Sequence, residues 1–215
     1  MRTRADHFTT VQQRLHESVD VKQHTIEQCI ESIVTAAELI ADKFRGGGKL
    51  LLCGNGASAL DCQHVAAQFV TRLTTAFERP ALPAIVLTAE SASLGRVSKR
   101  RGVQGMLERQ VKALGKAGDL LLVIDSGNED LDIAGAIKVA KKVNLRTIAL
   151  TGSHGDLAVL AHIAISVPSL ERQRIREAHV AIENVLCELV ESMVLHKVDG
   201  LLCSDVIIGT AHDYR

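Results

Sequence analysis

The sequence predicts an α/β protein: a doubly wound, five-stranded parallel sheet sandwiched by helices, with an N-terminal helical segment ahead of it. Three observations predict this. Five short runs at 49–53 (KLLLC), 84–87 (AIVL), 120–124 (LLLVI), 147–150 (TIAL) and 163–167 (IAISV) are apolar at successive positions, as suits strands covered on both faces. Helical stretches separate them, the pattern of crossover connections between parallel strands. The loops GNGAS, DSGNED and TGSHGD follow the first, third and fourth runs, so all three fall at the carboxyl edge of the sheet, where ligands of such folds bind.

Taken in order, residues 11–44 carry apolar side chains at three- and four-residue steps (Ile26, Cys29, Ile30, Ile33, Ala37, Ile40, Phe44). Asp20 or Thr25 can cap a second helix after a short break, and Gly46-Gly47-Gly48 stops it. A long amphipathic segment ahead of the repeating unit suits a subunit contact. The first strand runs into a helix over about 58–73, the second is followed by a helix near 106–114, and the third by one over 133–143. The fifth leads into a long helix over about 171–195. This divides the chain into N-terminal helices at 1–45, the sheet domain at 46–196, and a tail at 197–215. The tail holds the Asp199-Gly200 turn and the apolar stretch LLCSDVIIG.

Composition removes several function classes. Of 215 residues, 47% are apolar and 23% charged, which excludes a disordered chain, a coiled-coil rod and a collagen-like fibre. Lys+Arg and Asp+Glu are both 25, so the formal charge is zero, whereas a general nucleic-acid binder is basic. Aromatics are only 2%, too few for base-stacking platforms. No apolar run reaches the ~18 residues of a membrane span, and the first residues lack the apolar stretch of a signal peptide. Cys29, Cys53, Cys62, Cys187 and Cys203 are scattered, odd in number and without a CxxC pair, so they read as free thiols of a cytoplasmic protein.

Gly54-Asn55-Gly56-Ala57-Ser58 opens a helix, and free N–H groups and the helix dipole there favour an anion. Asn55, Gly56 and Ser58 are candidate phosphate contacts. The spacing is neither a dinucleotide fingerprint nor a P-loop, and a tight turn requiring glycine dihedrals explains the same residues.

In longer context, GNGASALDCQHVAAQFVTRL followed by ERPALPAIVLT resembles the sugar isomerase (SIS) domain family. The branch it resembles contains phosphoheptose isomerase and the DnaA initiator-associating protein. The resemblance continues through ERQVKALGKAGDLLLVI, SGN, TIALTGSHGD, VPS and RIREAHVAIENVLCELVE, over roughly 10–195. It implies a homo-oligomer, a tetramer or at least a dimer, with sites shared between subunits, and a phospho-sugar ligand. It also implies interconversion of ketose and aldose phosphates through an enediol, which needs a positioned base and acid.

The resemblance places that chemistry on a His and a Glu four residues later, and on a Gln and a His eight residues later in the last helix; some relatives hold zinc there. Here the four positions are His64, Gln68, Arg176 and Asn184. Gln68 and Asn184 do not titrate, and Arg176 puts a cation where a metal would sit. Zinc is therefore expected only if the chain is an isomerase. Glu177 and Glu183 lie nearby, but their helical phase differs from that of Asn184, and His179 matches a family His outside the zinc set.

The loop after the third strand differs too. Asp125 replaces a hydroxyl, Ser126 remains, and Glu129 stands where a Ser is expected. A carboxylate about 5 Å from a phosphate charge costs roughly 3 kcal/mol at an effective dielectric near 20. Lys99 and Arg100, within Ser98-Lys99-Arg100-Arg101, replace an Asn-Asp pair. They suit a solvated loop, compensation of Asp125 or Glu129, or a new phosphate clamp. His154 reads as a surface residue and His162 as the start of a strand.

Three functions follow. The substituted set points first to a non-catalytic regulator that binds protein or ligand, resembling the initiator-associating protein. The apolar pair that relative uses on DnaA falls at Val194-Leu195. Sedoheptulose-7-phosphate isomerisation is the alternative, with Glu177 the first substitute base to test. A sensor of phosphorylated or amino sugars is the third. Neither a membrane nor direct nucleic-acid contact is expected.

Overall fold

The structure, a computed structural model, describes residues 3–71, 79–87, 105–127, 131–153 and 155–195. Lys99, Arg100, Glu129, His154, Cys203 and the tail at 197–215 lie outside them.

Helix α1 (Arg4–Arg45) is continuous. Thr3 and Asp6 form a capping box at its start, and Lys43 and Arg45 complement the dipole at its end. The expected break is absent. The Thr25 hydroxyl donates back to the Val21 carbonyl, 2.8 Å away, a bond made inside a helix and not a cap. Cys29, Ile33, Ala37, Ile40 and Phe44 are buried, whereas Ile26 and Ile30 of the same predicted stripe are exposed.

The sheet contains β1 (Leu50–Gly54), β2 (Ala84–Val86), β3 (Leu120–Ile124), β4 (Arg146–Gly152) and β5 (Ile163–Val167), in spatial order β2-β1-β3-β4-β5, all parallel. Leu50 aligns with Leu120, Leu120 with Arg146, and Ile148 with Ile163. The intervening helices are α2 (Ala57–Val70), α3 (Met106–Leu114), α4 (Leu131–Lys142), α5 (Asp156–Leu160) and α6 (Arg172–Leu195). Helix α5 was not expected; five residues are too few to show a helical period.

Strand pleating sorts the apolar residues into two cores. Leu50, Leu52, Leu120, Leu122, Ile148 and Ile165 pack against α1, α2 and α6 on one face. Leu51, Cys53, Leu121, Val123 and Ala149 pack against α3, α4 and α5 on the other. With few aromatics, the first core uses one edge-to-face pair, Phe44 on Phe69, with ring centres 5.3 Å apart. Cys29, Cys53, Cys62 and Cys187 are buried free thiols. Burial pushes the Cys187 thiol up to about 12, too high for a reactive thiolate.

Several polar anchors hold these layers in register. The Asp119 carboxylate accepts the backbone N–H groups of Lys49 (3.0 Å) and Lys116 (2.8 Å) and pairs with the Lys49 ammonium, fixing the entries to β1 and β3. Arg79 and Glu191 form an ion pair whose side chains are 1% and 3% exposed. Arg79 also donates to the Phe69 and Gln68 carbonyls at the end of α2 (2.9 and 2.8 Å). Among the described residues, no helix is long and apolar enough to cross a membrane.

Candidate functional site

Because β2 and β3 lie on opposite sides of β1, the chain reverses direction across the sheet between β1 and β3. Helix α2 leaves β1 toward one face and α4 leaves β3 toward the other. The carboxyl ends of such a strand pair open into a crevice. Gly54, aligned with Ile124, lets the two loops meet: a Cβ there would lie 2.7 Å from the Ile124 carbonyl and 2.9 Å from Ser58 backbone. Gly56 follows at φ +58°, in the region that favours glycine. Ser58 is buried in the first turn of α2.

On α2, His64 and Gln68 are one turn apart and share a face. Gln68 Nε2 lies 3.3 Å from His64 Nε2, and Asn184 Oδ1 of α6 lies 3.3 Å from the same ring atom. His64 is exposed to solvent. The structure thus joins three of the four positions expected from sequence. Two amides hold one imidazole nitrogen, and amides serve either protonation state. An Nε2–H donates to an amide oxygen, and a bare Nε2 accepts from an amide N–H.

Arg176, the fourth position, reaches α2 through a residue the sequence reading passed over. Its Nε donates to Asp61 Oδ2 (3.1 Å) and its Nη2 to Asp61 Oδ1 (2.9 Å). The Asp61 side chain is 6% exposed and that of Arg176 42%, so a buried carboxylate holds a partly solvated guanidinium by its fork. Asp61 lies one turn before His64, and that i, i−3 spacing is the signal that would have found it.

Below this seam, His179 and Glu183 are fully buried. His179 Nε2 bonds the Thr151 carbonyl at 3.2 Å, and burial lowers the ring to about 4, so it is neutral at physiological pH. Neither Glu183 carboxyl oxygen has a hydrogen-bond partner. Burial raises its carboxyl to about 8, the Asp61 carboxylate adds to the shift, and Arg176 opposes it. Glu177 Oε1 pairs with Arg174 at 3.0 Å, while its Oε2 is buried without a hydrogen-bond partner.

The folded-state value of Glu183 lies above its ordinary 4.5, so the folded protein holds this proton where the unfolded chain releases it. Stability is full below about pH 4.5 and lost as pH rises toward 8. The loss amounts to roughly 3 kcal/mol by pH 7. Glu183→Met is expected to remove this fall. Thermal melts at acidic and mildly alkaline pH check it: the wild type loses stability across the interval and the variant keeps it.

At the β3 loop, Asp125 Oδ1 accepts the Gly127 N–H at 3.0 Å, so this carboxylate oxygen serves the loop's own backbone. Ser126 is half-buried. A Cβ on Gly127 would meet Arg172 Nη2 at 2.6 Å and Cζ at 3.1 Å, which places the Arg172 guanidinium against this loop, another contact the sequence reading passed over. Lys99, Arg100 and Glu129, predicted near it, lie outside the described residues. His162, expected to begin the last strand, lies just before it: β5 starts at Ile163, and His162 Nδ1 accepts from the Thr147 N–H at 3.0 Å. Val194 packs partly on the first core, and Leu195 is half-buried beside it.

The donor set does not fit the zinc that the resemblance implies for some relatives. A zinc site takes imidazole, thiolate or carboxylate donors, commonly three or four. Here one imidazole is accompanied by two amides and a guanidinium cation, and the Asp61 carboxylate is bound to that cation.

Comparison with known proteins agrees with this architecture. The SIS-domain family profile matches residues 15–152. A phosphoheptose isomerase from Roseiflexus sp. (strain RS-1) is 40% identical over 193 residues, 89% of this chain and 97% of that protein. Solved structures of phosphoheptose isomerases from Francisella tularensis and Neisseria gonorrhoeae superpose with TM-scores of 0.82 and 0.78. Each is 32% identical over 86% of this chain and 98% of the other.

Proposed function

Because the chain belongs to the SIS-domain family, in its phosphoheptose isomerase branch, we propose that it binds an open-chain sugar phosphate of the sedoheptulose 7-phosphate class and interconverts its ketose and aldose forms. The observation that carries this reading is the solvent-facing His64 imidazole, held by Gln68 and Asn184 on the same helix pair as the Arg176 guanidinium. One base suffices for the reaction. His64 removes the C1 proton of the ketose, and the electrons pass to the C2 oxygen to give an enediolate. His64 then returns the proton to C2 while the O1 hydroxyl proton moves to O2, leaving an aldehyde at C1. Arg176, kept charged and rigid by Asp61, suits stabilisation of the enediolate oxygen.

The exposed side chains of Phe8, Val11, Leu15, Val19, Ile26 and Ile30 on α1 support assembly with further copies of the chain. The test of the reading is incubation of the purified protein with sedoheptulose 7-phosphate in D2O, followed by proton NMR. The expected result is deuterium incorporation beside the carbonyl together with aldose formation.

A second reading is favoured by the neutrality of Gln68 and Asn184: a non-catalytic regulator resembling the initiator-associating protein, with Val194-Leu195 at its contact. Ligand binding without deuterium incorporation, together with a complex in a pull-down with purified DnaA, supports it over the isomerase reading.

A further inference from the structure

Three arginines, Arg172, Arg174 and Arg176, open α6, whose first turn holds no acidic residue. Cations are disfavoured at the positive end of a helix dipole unless something compensates them. Arg174 pairs with Glu177 and donates to the Arg14 carbonyl. Arg176 is held by Asp61. Arg172 is exposed and, among the described residues, has no hydrogen-bond or ion-pair partner.

Its guanidinium nevertheless lies against the β3 loop. The guanidinium lies so close to the Cα of Gly127 that a methyl group there would clash with Nη2, Cζ and Nε, at 2.6, 3.1 and 3.3 Å. The glycine therefore forms a seat for the arginine on the β3 loop. That loop adjoins the β1 loop carrying Ser58, at the point where the sheet reverses. Asp125 Oδ1 of the same loop accepts the Gly127 N–H at 3.0 Å, and the carboxylate charge that remains is one that the Arg172 cation would offset.

We infer that Arg172, seated on Gly127, is the residue that recognises the phosphoryl group of the substrate and sets the preference for phosphorylated over free sugars. A guanidinium presents paired donors to a phosphoryl group at fixed spacing. Ser126 and Ser58 supply hydroxyls on the same crevice edge. This inference rests on the sugar-phosphate reading and adds to it the group that grips the ligand's charged end.

The test compares the wild type with Arg172→Ala, Arg172→Lys and Gly127→Ala, each first shown by thermal melting to fold. The readouts are steady-state kinetics on sedoheptulose 7-phosphate and on sedoheptulose, and calorimetric titration with inorganic phosphate. Arg172→Ala is expected to raise KM for the phosphate ester about 10–100-fold with kcat little changed. Activity on free sedoheptulose should fall less than activity on the ester, and phosphate binding should weaken in parallel. Arg172→Lys should recover part of the loss, and Gly127→Ala, which displaces the guanidinium, should reproduce it.

Unchanged KM and phosphate affinity in Arg172→Ala, beside a wild type that turns over the ester, overturn the inference and leave the isomerase reading intact. Arg172-dependent phosphate binding in a wild type that exchanges no proton supports the inference and removes the isomerase reading. A wild type that binds neither phosphate nor the ester overturns the inference.

Discussion

Glu191→Ala is expected to destabilise the fold by about 3–5 kcal/mol. The Arg79 and Glu191 side chains are 1% and 3% exposed, so the substitution leaves a guanidinium in the core with no counter-charge. The carbonyls of Phe69, Gln68 and Pro80 still accept from Arg79, but dipoles replace only part of a carboxylate's field. The double variant Arg79→Met/Glu191→Met removes both charges and is expected to lose less than the single one, because two apolar side chains need no compensation. Urea midpoints of the wild type and both variants check this. A double variant as unstable as Glu191→Ala would mean that Arg79 acts through its bonds to the helix end and not through charge pairing.

His64→Asn is expected to lower kcat for sedoheptulose 7-phosphate by about 10²–10⁴-fold, the usual worth of a general base. KM should change little, because on the proposed reading the phosphoryl group is held by Arg172 and not by His64, whose Nε2 meets Gln68 and Asn184. Imidazole added to the buffer should restore part of the rate, which a packing defect would not permit. A variant with unchanged turnover would transfer the proton step to another residue and remove His64 from the reaction.

Much of the architecture is legible in the sequence because its signals are local. Five strands apolar on both faces and helices of nine or more residues show their periods within short windows. Helix α5, with five residues, does not. The continuity of α1 is hidden for a related reason: Asp20 and Thr25 have good capping side chains, and only the Thr25 bond to Val21 shows that capping is unused. Ile26 and Ile30 obey the same spacing as Cys29 and Ile33, yet one pair faces outward. Periodicity marks an apolar stripe but not what covers it.

At the site, spacing brings His64 to Gln68 and aligns Arg176 with Asn184 along their helices. The pairing across helices is tertiary and cannot be read that way. Asp61 lies within one turn of His64 but acts on Arg176, 115 positions away. Arg172 is separated by 45 positions from the glycine it touches. Glu183 looks like an ordinary helix carboxylate until packing strips its oxygens of partners.

Helix α2 resembles a beam clamped at both ends. Asp61–Arg176 fastens one end to α6, and Arg79, bridging the carbonyls of Gln68 and Phe69 to Glu191, fastens the other. The clamps are about 10 Å apart along α2 and about 22 Å along α6, and the His64–Asn184 contact falls between them on both. A rod pinned at two points cannot roll about its axis. The 3.3 Å gap between imidazole and amide is therefore set by the clamps and not by the weak bond spanning it.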